Sequence, residues 1–374
     1  MCAENTAVKT KERFQNVDFL RFIFSIDILL YHFYVVFNKI LSNQTLDTPT
    51  IFQYVFRNFR YGFICVDFFF IISGFFLFKN INKEEDTFNF AINRITRLLP
   101  TILFAILVYL IFSLFIDGMN FNFNNNILSV FLLNNIGFSM EHGATSQEWF
   151  VAALFWISLF YFYINKIFTR KYLNLIIWVI TILSLAFTIN INYPNFAGNR
   201  QISFVIVNHG IVRALGGIGV GYFISMLYNS KFLQNIKTNN LIISILEIYC
   251  CSFLIFYRPG NYFLYIVIFS ILFYLFIIRK GLLSKLLNNK LSSTIGSYSY
   301  SIYIMHIFVY TVLKHSIVLP HPKFVLSHSI LFLELTIITS LIVGILTYYF
   351  FEKPMTKYLK NKFLTNTTNV KEET

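Results

Sequence analysis

Ten stretches of mostly apolar residues run along this chain of 374 residues, at 17–38, 60–79, 98–116, 148–165, 172–190, 207–227, 241–257, 261–278, 296–313 and 329–351. A helix needs about 20 such residues to cross the hydrocarbon core of a bilayer. In hydrocarbon every backbone N–H and C=O must be satisfied within its own segment, so each stretch is expected to be a helix. Charged residues make up only 13% and hydrophobic ones 56%, whereas a soluble domain carries about 25% charged residues. The expected fold is an all-α integral membrane protein of about ten transmembrane helices. It would comprise an N-terminal tail over 1–16, a transmembrane domain over 17–354 and a C-terminal tail over 355–374. The first stretch is too long for a signal-peptide core and lacks a small-residue cleavage site, so it is expected to be retained.

The net charge of +13 could signal a nucleic-acid partner, but its distribution speaks for topology. With the N-terminus in the cytoplasm, the cytoplasmic segments 1–16, 79–97, 166–171, 228–240, 279–295 and 352–374 hold 21 of the 30 Lys and Arg residues. The opposite side holds Lys39, Arg57, Arg60, Arg200, Arg258, Lys314 and Lys323, and Arg21 and Arg213 fall inside spans. This asymmetry obeys the positive-inside rule and puts both termini in the cytoplasm. No nucleic-acid partner is expected. Cys2, Cys65, Cys250 and Cys251 have neither zinc-site nor disulfide spacing and read as small buried hydrophobes; no metal is expected. The outer segment 117–147, with "NFNNNILSVFLLNN", contains no Lys or Arg and reads as a solvated loop or a short interfacial helix.

Ionisable groups at membrane depth are costly and face a bundle interior or a wet cavity. Here they are Arg21, Asp27, His32, Asp67, His209, Arg213, Glu247, His306 and Glu334. Arg21 and His32 are eleven residues apart, which puts them on one helix face about 16 Å apart along the axis. Asp27 lies well round the helix from both and has no evident partner. The second span runs the opposite way and brings Asp67 to the depth of His32. A carboxylate there would fix the imidazole tautomer and keep it basic; Asp67 could equally pair with Arg60 or a backbone group. Arg94 and Arg97 in "RITRLLP" (94–100) face one way on a helix turn, and paired guanidiniums suit phosphate. They also fit plain positive-inside anchoring. A phosphate-bearing cosubstrate could dock at these arginines and run an arm past Arg21 to His32. Coenzyme A has that architecture.

Further along, "RFIFSIDILLYH" (21–32), "VDFFFIISGFFLF" (66–78), "RITRLLP", "RALGGIGVGY" (213–222), "IGSYSYSIYIMH" (295–306) and "FEKP" (351–354) occur in order. Together they resemble the signatures of the membrane-bound acyltransferase-3 family, over about 17–354. The resemblance implies transfer of an acyl group, commonly acetyl, from cytoplasmic acetyl-CoA to a hydroxyl of a surface glycan or lipid-linked sugar. It implies His32 as the catalytic residue, and Arg94 and Arg97 with Arg21 on the donor. The abundance of Asn, Lys and Phe suggests an AT-rich bacterial genome, and with it residence in a bacterial inner membrane. Where many relatives carry a glutamate a few residues after the fourth-span tryptophan, this chain has Trp149 followed by Val151 to Leu154; Glu148 is a candidate substitute. The form expected is the one without a fused esterase-like domain.

In the expected mechanism His32 is a general base, oriented by Asp67, that takes a proton from an acceptor hydroxyl. A covalent acyl-histidine stays open. Trp149 could stack on a sugar ring or sit in an interfacial aromatic belt. Arg213 with His209 could line the acceptor entrance, or pack with Gly216, Gly217, Gly219 and Gly221, which allow close helix approach. His306 is a further site candidate or a helix–helix hydrogen bond, and Glu247 and Glu334 read as structural. A glycan transporter or flippase without acyl transfer is the competing expectation, since buried charges on ten spans fit that too. The sequence fixes neither the acyl group nor the oligomeric state, and a homo-oligomer stays open.

Overall fold

The computed structural model describes residues 13–42, 58–81, 83–134, 143–144, 146–192, 209–230, 239–256 and 261–364. The ends of both expected tails (1–12 and 365–374), Cys2 and part of the outer segment 117–147 lie outside the described residues. The described chain is helical, with no strand. The helices are α1 Gln15–Ser42, α2 Cys65–Lys79, α3 Thr87–Ser113, α4 Phe123–Val130, α5 Glu148–Ile167, α6 Arg170–Asn192 and α7 His209–Tyr228. After them come α8 Asn240–Phe256, α9 Tyr262–Ile278, α10 Leu282–Leu286, α11 Lys290–Ser297, α12 Ser299–Leu313, α13 Pro322–Ser327, α14 Ser329–Thr347 and α15 Lys353–Leu364. Among the described residues, eight helical segments are long and apolar enough to cross a membrane. Two further expected spans form α8 and α9, apolar helices of 17 residues each. The chain is an all-α integral membrane protein.

The bundle is built inside out relative to a soluble protein, and α14 shows why. Leu331, Leu335, Ile338, Ile342 and Leu346 recur on one face of α14 and are about half exposed, whereas Phe332, Thr336, Ser340 and Gly344 on the other face are buried. Lipid is as apolar as leucine, so helices associate through small residues and close packing. The buried hydroxyls are satisfied within the helix, Thr336 donating to the Phe332 carbonyl and Ser340 to the Thr336 carbonyl, both at 2.7 Å.

The same rule sets the tightest crossing. α2 packs most extensively on α7. A Cβ on Gly74 would run into the Ile218 carbonyl, and one on Gly221 into the Ile71 carbonyl. The other side of α7 presents Gly216 and Gly219 to Leu185 and Thr181 of α6. The expectation that the α7 glycines allow close approach is met on both faces.

Two elements depart from the expected boundaries. α3 starts at Thr87, because the Asp86 carboxylate caps it by accepting from the Phe88 amide at 3.1 Å; Arg94 and Arg97 therefore lie inside the helix. The ninth expected span is two helices, α11 and α12, with Tyr298 between them. Of the two readings of the outer segment, a short helix is found: α4, whose N-terminus is capped by Asn122.

α1 is fixed along its length. Asn16 donates to the Phe276 carbonyl of α9 at 2.7 Å. Gly296 of α11 lies so close that a Cβ would meet the Asp18 carbonyl. Tyr310 of α12 donates to the Leu29 carbonyl at 2.7 Å. These contacts hold α1 against α11 and α12, and that crossing carries the site.

Candidate functional site

One turn beyond the Leu29–Tyr310 bond, His32 of α1 meets His306 of α12. His32 Nδ1 is 3.0 Å from the Ile28 carbonyl oxygen and 3.2 Å from His306 Nε2. His306 Nδ1 is 3.3 Å from the Ile302 carbonyl oxygen, and the Gln147 amide nitrogen is 3.4 Å from His306 Nε2. A carbonyl oxygen only accepts, so each Nδ1 carries the proton. His306 Nε2 is then bare and accepts from both His32 and Gln147. His32 Nε2 is also bare, and no hydrogen bond engages it among the described residues. His306 is fully buried, whereas His32 keeps part of its surface accessible. The arrangement presents one basic nitrogen, aimed by a buried partner ring. The Gln147 carbonyl oxygen beside it is buried without a partner among the described residues.

Asp67 is not the partner of His32. Its carboxylate is gripped by Arg213 of α7, Nη2 to Oδ2 at 2.6 Å and Nε to Oδ1 at 3.2 Å. Tyr262 of α9 donates to Oδ1 at 2.9 Å. Arg213 also donates to the Phe63 carbonyl at 2.9 Å. Both ends of the pair are buried, and such a charge pair needs its remaining hydrogen bonds satisfied to be tolerated there. The expected Asp67–His32 dyad is thus replaced by an Asp67–Arg213 pair, and Arg213 is a buried tie between helices instead of a residue lining an entrance.

The expected substrate residues at the start of α5 are occupied similarly. The Trp149 ring lies against Gly210, with the Arg213 guanidinium 5.4 Å from the ring centroid. Glu148 is buried. It accepts from Ser129 at 2.7 Å, Asn134 at 3.2 Å and the Gly143 amide at 3.1 Å. It anchors the asparagine-rich outer segment onto the bundle. Three acids without a sequence-level role also find their places. Asp27 accepts from the Cys65 thiol at 3.2 Å. Buried Glu247 accepts from the Leu283 and Ser284 amides at 2.9 and 3.2 Å. Glu334 is exposed on α14.

At the opposite end of α1 the structure brings Arg21, Arg94 and Arg97 into one cavity of about 560 Å³. Arg13, Asp18, Tyr300 and Glu352 also line it. Arg21 and Arg13 both reach Asp18, at 3.4 and 3.0 Å. Glu352 accepts from Ser301 within the π-helical turn Tyr348–Glu352; such turns recur at functional sites. Arg94 lies over the Phe90 ring at 5.3 Å. Phe69, Phe150 and Tyr303 also line it, with ring centroids 5.2–6.3 Å apart. Tyr303 is one helical turn from His306, with ring centroids 6.0 Å apart. Tyr303 therefore both lines the arginine cavity and meets the histidine pair.

Sequence reasoning missed Gln147, Asp18, Glu352 and the three rings. Tyr303 and Glu352 did stand inside the quoted motifs "IGSYSYSIYIMH" and "FEKP". No curated protein and no solved structure matches this chain. A family described as an acyltransferase domain matches residues 14–349. That range takes in α1, the arginines of α3, the Asp67–Arg213 tie and the histidine pair, nearly the whole bundle. The chain belongs to the acyltransferase-3 family and is a multi-pass membrane acyltransferase.

Proposed function

We propose that the protein transfers an acyl group, acetyl first among candidates, from acyl-CoA to a sugar hydroxyl of a surface polysaccharide or lipid-linked glycan. The observation that carries this reading is the run beside α1 from a cavity lined by four arginines, past Tyr303, to a histidine with a bare Nε2. The arginine-rich end faces the cytoplasm of a bacterial inner membrane, in keeping with the Lys and Arg asymmetry. Phosphates of the donor are held by Arg94 and Arg97 beside Arg21, and the pantetheine arm follows α1 toward His32. Tyr303, which lines the cavity and meets His306, stands on the path of the thioester to His32.

His32 Nε2 takes the proton of the acceptor hydroxyl as that oxygen attacks the thioester carbonyl. The C–S bond breaks, and the thiolate of coenzyme A leaves toward the arginines and recovers the proton. His306 holds the Nδ1 proton of His32, the role first expected of Asp67. The partnerless Gln147 carbonyl oxygen is suited to accept from a neighbouring hydroxyl of the acceptor sugar and so to orient it. The apolar walls keep water from the thioester.

The test uses inverted membrane vesicles given acetyl-CoA labelled in the acetyl group. The account expects label in an alkali-labile ester of the glycan fraction, reduced about 10²–10⁴-fold by His32→Ala. Transport of unmodified glycan with no ester formed would favour a flippase.

A further inference from the structure

The arginine cavity does not stop at the membrane-spanning helices. A second cavity, of about 430 Å³, adjoins it and shares Arg97, Tyr348 and Glu352. Its remaining wall is α15, through Lys353, Thr356, Lys357 and Lys360 among others. These four stand at i, i+3, i+4 and i+7, so they share one helix face. The three lysines extend over about 10 Å of helix axis. With Arg97 they set four cations against the single carboxylate of Glu352. The Thr356 hydroxyl oxygen is buried with no hydrogen-bond partner among the described residues. Positive-inside anchoring asks only for cations near the headgroups. It does not ask that they line a concave pocket joined to a cavity, beside an unpartnered hydroxyl.

The geometry points to the α15 pocket as a phosphate-monoester site that holds the 3′-phosphate end of the donor's nucleotide, while Arg94 and Arg97 hold its diphosphate. This rests on the acyl-CoA reading above. A ligand with only the pantetheine arm and diphosphate is satisfied by the first cavity, whereas the extra phosphate on the ribose needs a second cluster of cations a few ångströms away. Arg97, common to both cavities, joins the two. An anionic lipid headgroup presents the same phosphate chemistry; continuity with the arginine cavity favours the nucleotide.

The experiment compares CoA with 3′-dephospho-CoA as ligands of the full chain in phosphatidylcholine nanodiscs. The variants are the Lys357→Ala/Lys360→Ala pair and, as a charge-keeping control, the Lys357→Arg/Lys360→Arg pair. Wild type is expected to favour CoA over dephospho-CoA about tenfold, the scale of one hydrogen bond to a charged group. The alanine pair loses that preference with dephospho-CoA affinity unchanged, and the arginine pair keeps it. Equal binding of the two nucleotides by wild type, or a preference that survives in the alanine pair, overturns the assignment. If neither nucleotide binds wild type, the acyl-CoA reading itself falls. Retention of phosphatidylglycerol, read by native mass spectrometry, separates the lipid source. Its loss in the alanine pair, with the CoA preference intact, makes the pocket a headgroup site and overturns the nucleotide one.

Discussion

His32 has two neighbours that decide its chemistry, the Ile28 carbonyl and His306 Nε2. Both draw the proton to Nδ1, which leaves Nε2 bare. The proposed mechanism makes a specific prediction for His306, which in it acts through His32. His306→Gln can still offer a side-chain oxygen to the His32 Nδ1–H, whereas His306→Ala cannot. Acetyl transfer is expected to fall in both, with kcat in His306→Gln at least several-fold above that in His306→Ala and KM for acetyl-CoA unchanged in either. Equal kcat in the two variants would show that the ring merely fills space. The sequence put His32 in the site through its helical register with Arg21. It could not put His306 against it, because the partners are 274 positions apart and nothing in either helix's periodicity encodes which side chains meet.

Between helices, the polar ties sit where small residues let backbones close. Depth matching assigned Asp67, which lies in the first turn of α2, a neighbour other than the one it has. Two groups at similar depth compete for one carboxylate, and a guanidinium that delivers two N–H bonds outcompetes an imidazole. Arg213→Ala or Asp67→Ala alone is expected to cost about 3–5 kcal/mol, the scale for uncovering a buried charge. The paired Asp67→Leu/Arg213→Met change is expected to cost less than the sum of the singles, a coupling that a double-mutant cycle of unfolding measurements reads. Additive losses would mean that the two side chains do not act as a pair. At the α2–α7 crossing, Gly221→Val forces backbones apart and is expected to destabilise by about 1–3 kcal/mol or more. An unchanged Tm would contradict the close approach. The glycine run was legible in the sequence; which helix each glycine meets was not, since that depends on the rotation of α7.

For the assembled bundle, hydropathy read most of the architecture directly, because a continuous apolar run of about 20 residues satisfies its own backbone in lipid as a helix, whereas barrel strands are shorter and alternate. Hydropathy did not see that α3 begins below the apolar run, nor that a helical α15 continues past the last expected span with Lys353, Lys357 and Lys360 on one face. Both are cap and charge features outside the hydrocarbon, and both shape the basic end. The convergence of Arg21, Arg94 and Arg97 was legible, since topology put all three at one end and helical period turned them inward.

The most direct test of the central claim separates donor binding from chemistry. Purified protein in detergent is heated with and without acetyl-CoA, for wild type, for the Arg94→Ala/Arg97→Ala pair and for His32→Ala. The account predicts that acetyl-CoA raises the Tm of wild type and of His32→Ala alike and leaves that of the arginine pair unmoved. A wild-type Tm indifferent to acetyl-CoA, succinyl-CoA and malonyl-CoA, or protection that persists in the arginine pair, would contradict it.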